Sequence, residues 1–146
     1  LQNGAVKVYA VDVGYGQLAW SLRTDERVVN LERTNIRYIT EEQVPQPVDF
    51  ISVDVSFISL KLILPHIYRL LKSGGRAVAL VKPQFEAGRA NLSKKGVVRD
   101  AHLRLRIRDD IAGFAAGCGF TVAGSVISPI TGGDGNVEFL MCLEKC

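Results

Sequence analysis

Short apolar runs alternate with helix-like periodicity along most of the chain. Val6–Val11, Val28–Leu31, Phe50–Val53, Ala77–Val81, Phe120–Ile127 and Val137–Leu143 read as strands, being brief, β-branched-rich and bounded by turn residues. Gln17–Arg23 reads as a short helix in which Leu18, Trp20 and Leu22 turn inward, with Trp20 expected in the core. Leu60, Ile63, Leu64, Ile67, Leu70 and Leu71 recur at helical spacing, and Pro65 predicts a kink or a short break among them. Lys72–Gly75 reads as the turn that closes this helix, ahead of a buried strand from Ala77. Asp100 is the expected N-cap of a helix over Ala101–Cys118, whose stripe is Leu103, Ile107, Ile111 and Phe114. Leu1–Ala5 reads as a last helical turn ending at Gly4. Domains rarely begin there, so the natural start is expected upstream.

This order predicts an α/β domain with a mainly parallel sheet. The last two strands are joined by Pro129–Gly135, too short for a crossover helix, so the final strand is expected to run antiparallel.

Charged residues then stand out by position. Asp12, Asp54 and Lys82 each follow an apolar strand, and Glu138 lies in one. The carboxyl edge of an open α/β sheet is where ligands bind. Charges placed there are costly unless they meet and pair, so Asp54, Lys82 and Glu138 are expected to converge. Asp12 has the position of an acid that accepts hydrogen bonds from ribose hydroxyls of a nucleoside cofactor; capping the next turn is the alternative. Asn35, just past the second strand, is a candidate for touching a cofactor base.

Charge changes the picture once more. The whole chain carries only +3, but Lys82–Arg108 holds eight basic residues against Glu86 and Asp100. Arg89, Lys94, Lys95 and Arg99 lie in its aperiodic first half, a long connection of the kind that is usually functional or disordered. A basic segment beside a reactive edge points to a polyanionic substrate; a solvated charged loop is the alternative. Cys118, Cys142 and Cys146 have no metal-ligand spacing and are odd in number, which reads as reduced thiols in a cytoplasmic protein. No apolar run approaches the roughly 18 residues of a membrane span.

The segments VYAVDVGYGQLAW, LERTN, SVDVSFISLKLILP, ALVKPQFEAG, KKGVVRD and SPITGGDGNVEFL together resemble the TlyA (hemolysin A)-like family, a branch of the FtsJ-like ribosomal RNA 2′-O-methyltransferases. The resemblance covers nearly the whole chain. It implies a Rossmann-like methyltransferase fold, S-adenosylmethionine as cofactor, and ribosomal RNA or a ribosomal subunit as partner. It also implies a catalytic Lys-Asp-Lys-Glu set, of which Asp54, Lys82 and Glu138 match the last three members. Asp12, Asn35 and Asp54 would then hold the cofactor, and Arg89, Lys94, Lys95 and Arg99 the RNA. On the family pattern, residues 1–146 are expected to be the C-terminal, larger part of the methyltransferase domain. The first strand, the Gly-rich loop and an N-terminal S4-type RNA-binding domain would lie upstream, and activity of this part alone would be impaired.

Methyl transfer from a sulfonium to a ribose hydroxyl requires the hydroxyl proton to leave during attack. A lysine takes it only if its pKa falls from about 10.4 towards neutrality. Lys82 is therefore expected as proton acceptor, oriented by Asp54 and Glu138; a simple ion pair at the sheet edge is the alternative. His66 and His102 read as helix-surface or packing residues, and Phe57 and Phe85 as core residues or as the lining of a nucleoside pocket. Two other functions compete. A membrane-lytic hemolysin follows the family's historical label. A Rossmann-type dehydrogenase needs only Asp12, but leaves Asp54, Lys82 and Glu138 without a role.

Overall fold

The structure, a computed structural model, describes residues 1–146 and divides them into two compact units, Leu1–Gln46 and Pro47–Cys146. In the first unit β1 (Val8–Val11) pairs in parallel with β2 (Val28–Leu31), Val11 lying opposite Leu31. Between them α1 (Trp20–Arg23) makes a single turn instead of the expected seven-residue helix. One turn has no stripe to bury, and Trp20 is 75% exposed, contrary to its expected core position. Leu1–Gly4 forms a turn closed by Gly4 N–H on the Leu1 carbonyl, with Gly4 at φ 95°.

The second unit holds β3 (Val48–Val53), α2 (Leu64–Leu70), β4 (Leu71–Val81), α3 (Ala101–Gly117), β5 (Phe120–Ile127) and β6 (Phe139–Lys145). Its sheet has the order β3-β4-β6-β5. β4 runs parallel to β3, and β6 runs antiparallel to both β4 and β5. Three strands thus share one direction and the last opposes them, as the short Pro129–Gly135 connection requires.

Pro65 breaks the Leu60–Leu71 pattern in an ordinary way. Leu60–Leu62 is one 3-10 turn, and Pro65 sits in the first turn of α2, where no backbone donor is needed. The Lys72–Gly75 stretch is not a turn between elements but a bulge inside β4. Val48 pairs with Leu71 and Phe50 already with Arg76, so the extra residues loop out, with Gly74 at φ 79°.

Alternation along β4 and β6 fixes the core. Ala77, Ala79, Val81, Met141 and Leu143 are buried with Leu64 and Ile67 of α2 and Ile111 and Ala115 of α3. Each large side chain buried there contributes about 1.5–3 kcal/mol. The intervening Val78, Leu80, Leu140 and Cys142 are only half-buried, so β4 is covered on one face and not on both. Asp100 caps α3 as expected, its Oδ1 accepting from the His102 and Leu103 amides at 2.9 and 3.3 Å.

Candidate active site

The strand register brings the charged residues to one edge. β3 and β4 are parallel neighbours with Val53 opposite Ala79, so Asp54 and Lys82 both emerge at their carboxyl ends. β6 runs against β4 with Val81 opposite Phe139, which places Glu138 across from Lys82. The Lys82 Nζ lies 2.7 Å from Asp54 Oδ1 and 3.1 Å from Ser56 Oγ. Its side chain is 13% exposed while that of Asp54 is 71% exposed. An ion pair with so open a partner contributes at most about 1 kcal/mol to stability. Stability therefore does not account for a lysine sheltered at this edge.

Glu138 goes elsewhere. It is buried, and its Oε2 accepts from Gln84 Nε2 at 2.6 Å. It forms no hydrogen bond or ion pair with Lys82, so the three expected residues lie at one edge but only two of them pair. Gly132 lies against the same carboxylate: a Cβ there would collide with Glu138 Oε2 and stand 3.2 Å from Gln84 Nε2. The Gln84 Oε1 is buried without a hydrogen-bond partner.

Asp54 leads into a tight turn. Phe57 has φ 62°, a left-handed conformation that costs a non-glycine residue of order 1 kcal/mol or more. Its ring is 90% exposed and tilts against Phe85 at a centroid distance of 4.8 Å. Phe57 is thus not a core residue. Lys82 Nζ lies 5.9 Å from the Phe85 ring centre, so the amine borders the same aromatic pair.

Beyond these rings opens a cleft of about 600 Å³, lined among others by Phe57, Gln84, Phe85, Arg89, Lys95 and Asn136. The Pro83–Val98 connection forms one wall and is anchored, not loose. Val98 is fully buried, and its amide donates to Asn136 Oδ1 at 3.1 Å. The Asn136 amide donates in turn to the carbonyls of Gly96 and Gly133, at 3.1 and 3.0 Å. One buried asparagine therefore ties both walls of the cleft together. Arg89, Lys94, Lys95 and Arg99 are exposed and make no ion pair.

The first unit has its own cavity, about 280 Å³, lined by Asp12, Gly14, Gln17, Asn30 and Glu32 among others. Asp12 caps its turn with Oδ1, which accepts from the Gly14 amide at 2.8 Å; its other oxygen accepts nothing. Glu32 follows β2 just as Asp12 follows β1, pairs with Arg23, and accepts from the Gly16 amide at 3.3 Å. The Arg23 guanidinium holds the Glu32 carboxyl below its usual range. Two carboxylates at adjacent strand ends fit the two hydroxyls of a ribose, and the volume is at the small end for a ligand pocket. The residues therefore fit the nucleoside end of S-adenosylmethionine.

Asn35 is not among the cavity's lining residues; it caps the Ile36–Tyr38 turn by accepting from the Arg37 amide at 3.0 Å. Asn30 and Glu32 line the cavity instead. Glu32 was findable as a second acid past a strand. Gln84 and Asn136 carry no such signal, because their roles depend on loops meeting across β4 and β6.

Comparison with known proteins bears on this arrangement. The FtsJ-like methyltransferase family matches residues 1–145. Bacillus subtilis YqxC, provisionally described as an rRNA methyltransferase, is 55% identical over 99% of the chain and 52% of its own length. Mycobacterium tuberculosis TlyA, a 16S/23S rRNA (cytidine-2′-O)-methyltransferase, is 47% identical over 99% of the chain and 54% of its own. The chain spans about half the length of the curated relatives it matches. A Streptococcus thermophilus structure, provisionally described as a hemolysin, superposes with TM-score 0.94 at 50% identity, over 99% of this chain and 52% of that one. The N-methyltransferase NodS of Bradyrhizobium japonicum, solved with S-adenosyl-L-homocysteine, superposes with TM-score 0.62 at 13% identity over 95% of this chain and 66% of that one. It shows the shared Rossmann-like fold alone. With a family match that runs across almost all of its length, this chain belongs to the FtsJ-like methyltransferases.

Proposed function

We propose that this chain carries the reactive part of an S-adenosylmethionine-dependent enzyme that methylates a ribose 2′-hydroxyl in ribosomal RNA, acting in the cytoplasm on RNA or a ribosomal subunit. The observation that carries the reading is the sheltered Lys82 amine, held 2.7 Å from Asp54 at the border of an aromatic, cation-lined cleft. S-adenosylmethionine, when bound, supplies an electrophilic methyl group on its sulfonium. The chain's own residues do the rest. Lys82 Nζ, once the proton it carries in the ion pair with Asp54 has passed to solvent, orients the 2′-oxygen and takes its proton as the oxygen attacks. Asp54 and Ser56 fix where that amine stands. Phe57 and Phe85 offer faces on which an unstacked base can lie, as single-stranded RNA is commonly read. Arg89, Lys94, Lys95 and Arg99 hold the phosphate backbone without reading sequence.

Asp12, with Glu32 beside it, accepts from the ribose hydroxyls of the cofactor, and Asn35 contributes at most its free amide N–H. Glu138 acts in this reading by holding Gln84 on the cleft wall, not by touching the lysine.

The hemolysin name of several relatives is the competing reading. No helix is long and apolar enough to cross a membrane, and two of the unpaired cations, Arg89 and Lys95, line a cleft. Liposome leakage and tritium transfer from labelled S-adenosylmethionine to rRNA, run on the same preparation, separate the two. Transfer without leakage supports the methyltransferase; leakage without transfer overturns it.

A further inference from the structure

Glu86 is the one acid in the basic stretch before Asp100, and it forms no ion pair with the cations around it in sequence. Its Oε2 accepts from Ser59 Oγ at 2.6 Å and its Oε1 from the Leu60 amide at 2.8 Å. Ser59 Oγ in turn accepts from the Lys61 amide at 3.1 Å and so caps the Leu60–Leu62 turn. Both carboxylate oxygens are thus spent on the far end of the turn that begins at Asp54. No cation pairs with Glu86, and all its partners belong to that turn.

The turn needs such an anchor. Asp54, Ser56 and Phe57 hang between the end of β3 and Ser59, with Phe57 at φ 62° and its ring almost fully exposed. A strained, exposed backbone persists only when its surroundings hold it. At the near end the hold is the Lys82 contact with Asp54 and Ser56. At the far end it is Glu86, four residues beyond Lys82 on the same connection. Charge-assisted hydrogen bonds of this length are the stronger kind.

We propose that Glu86 is a positioning residue: it locks the Asp54–Ser59 turn onto the Lys82–Glu86 connection and so sets the partners of the Lys82 amine. It touches neither the reacting atoms nor the RNA. The inference rests on Lys82 being the reactive amine, but its test does not require methyl transfer.

The test compares the parent protein with Glu86→Ala, Glu86→Gln and Ser59→Ala. Lys82 modification by a water-soluble amine acylating reagent is followed by peptide mass spectrometry, with Lys94 and Lys95 as internal standards. Losing both bonds shifts local opening at this turn by at least about tenfold. Glu86→Ala should therefore raise the Lys82 rate by about that factor relative to Lys94 and Lys95. Glu86→Gln, which keeps an acceptor for the Leu60 amide, should restore most of the protection, and Ser59→Ala should lie between. Circular dichroism melts should stay cooperative in all four proteins. Unchanged Lys82 labelling in Glu86→Ala, or an equal rise in Glu86→Gln, overturns the proposal, as does a rise at all lysines, which reports general unfolding. Loss of methyl transfer in the parent would count against the proposed function alone.

Discussion

Lys82 faces Glu138 across the β4–β6 register, yet its amine pairs with Asp54 on the other side, at 2.7 Å. The neighbouring strand in parallel, not the one in antiparallel, supplies its partner. This divides two acids that look equivalent in the sequence. Asp54 is exposed and borders the amine; Glu138 is buried and grips Gln84.

Different substitution profiles follow for the two acids. Asp54→Asn should lower methyl transfer by about 10²-fold, the order that a small misplacement of a reacting group costs, with little change in stability. Glu138→Gln retains an acceptor for Gln84 and should keep most activity. Glu138→Ala leaves a buried amide unsatisfied and should cost about 1–3 kcal/mol in urea denaturation. Equal losses of activity in Asp54→Asn and Glu138→Gln would return Glu138 to the proton-transfer machinery.

Gly132 reports on the same contact. Gly132→Ala puts a methyl against the Glu138 carboxylate and 3.2 Å from Gln84 Nε2, and should destabilise the protein by about 1–3 kcal/mol. Gly133→Ala, where an added Cβ meets nothing, should be close to neutral. Similar melting curves for the two variants would show that the Glu138 wall yields easily.

RNA contact is testable through salt. Replacing Lys94, Lys95 and Arg99 together with alanine should weaken binding to structured RNA and flatten its salt dependence by up to about three contacts' worth of slope. Folding should change within about 0.5 kcal/mol, since these side chains are exposed and unpaired. An unchanged slope in a filter-binding titration would make the segment a solvated surface.

The cavity around Asp12 sets an expectation for the cofactor. At about 280 Å³ it is at the small end for a ligand pocket, and on the proposed reading it would take the nucleoside end of the cofactor. Calorimetry on this chain should find weak binding of S-adenosylmethionine, little better than that of adenosine. Micromolar or tighter affinity for S-adenosylmethionine with none for adenosine would place the main cofactor contacts elsewhere.

Acid pH probes the approach to β2. The Arg27 side chain and amide beside Asp25 hold its carboxyl down to about 2. A depressed folded value contributes stability above the unfolded value, near 3.8, and that contribution is lost as pH falls through about 2. Carboxyl carbon shifts followed by NMR should show Asp25 titrating near 2, and Arg27→Ala should move it up towards the ordinary range. A parent titration near 4 would deny the pair in solution.

Much of this arrangement was legible in the sequence, and the reason is periodicity. Strand-end placement alone located Asp54, Lys82 and Glu138 on one edge and Asp12 beside a nucleoside-sized cavity. The short Pro129–Gly135 connection dictated the antiparallel β6. What escaped depends on contacts between distant segments. Nothing local marks Gln84 as the partner of Glu138, or Asn136 as the tie between Gly96, Val98 and Gly133. Trp20 misled because aromatic residues are buried on average, while a one-turn helix holds it outside; of the two positions open to Phe57, core or pocket lining, the strained turn leaves the second. Lys72–Gly75 has turn composition, and only pairing with β3 reveals it as a bulge.

The claim that Lys82 receives the proton of a ribose hydroxyl is tested most directly by methyl transfer itself. The protein is incubated with unmethylated rRNA and millimolar S-adenosyl-[methyl-³H]methionine, and the RNA is digested to nucleosides. Tritium is expected in a 2′-O-methylnucleoside, with a loss of about 10²-fold or more in Lys82→Ala while folding and RNA affinity are kept. Tritium on a base, transfer undiminished in Lys82→Ala, or no transfer by the parent protein would contradict it.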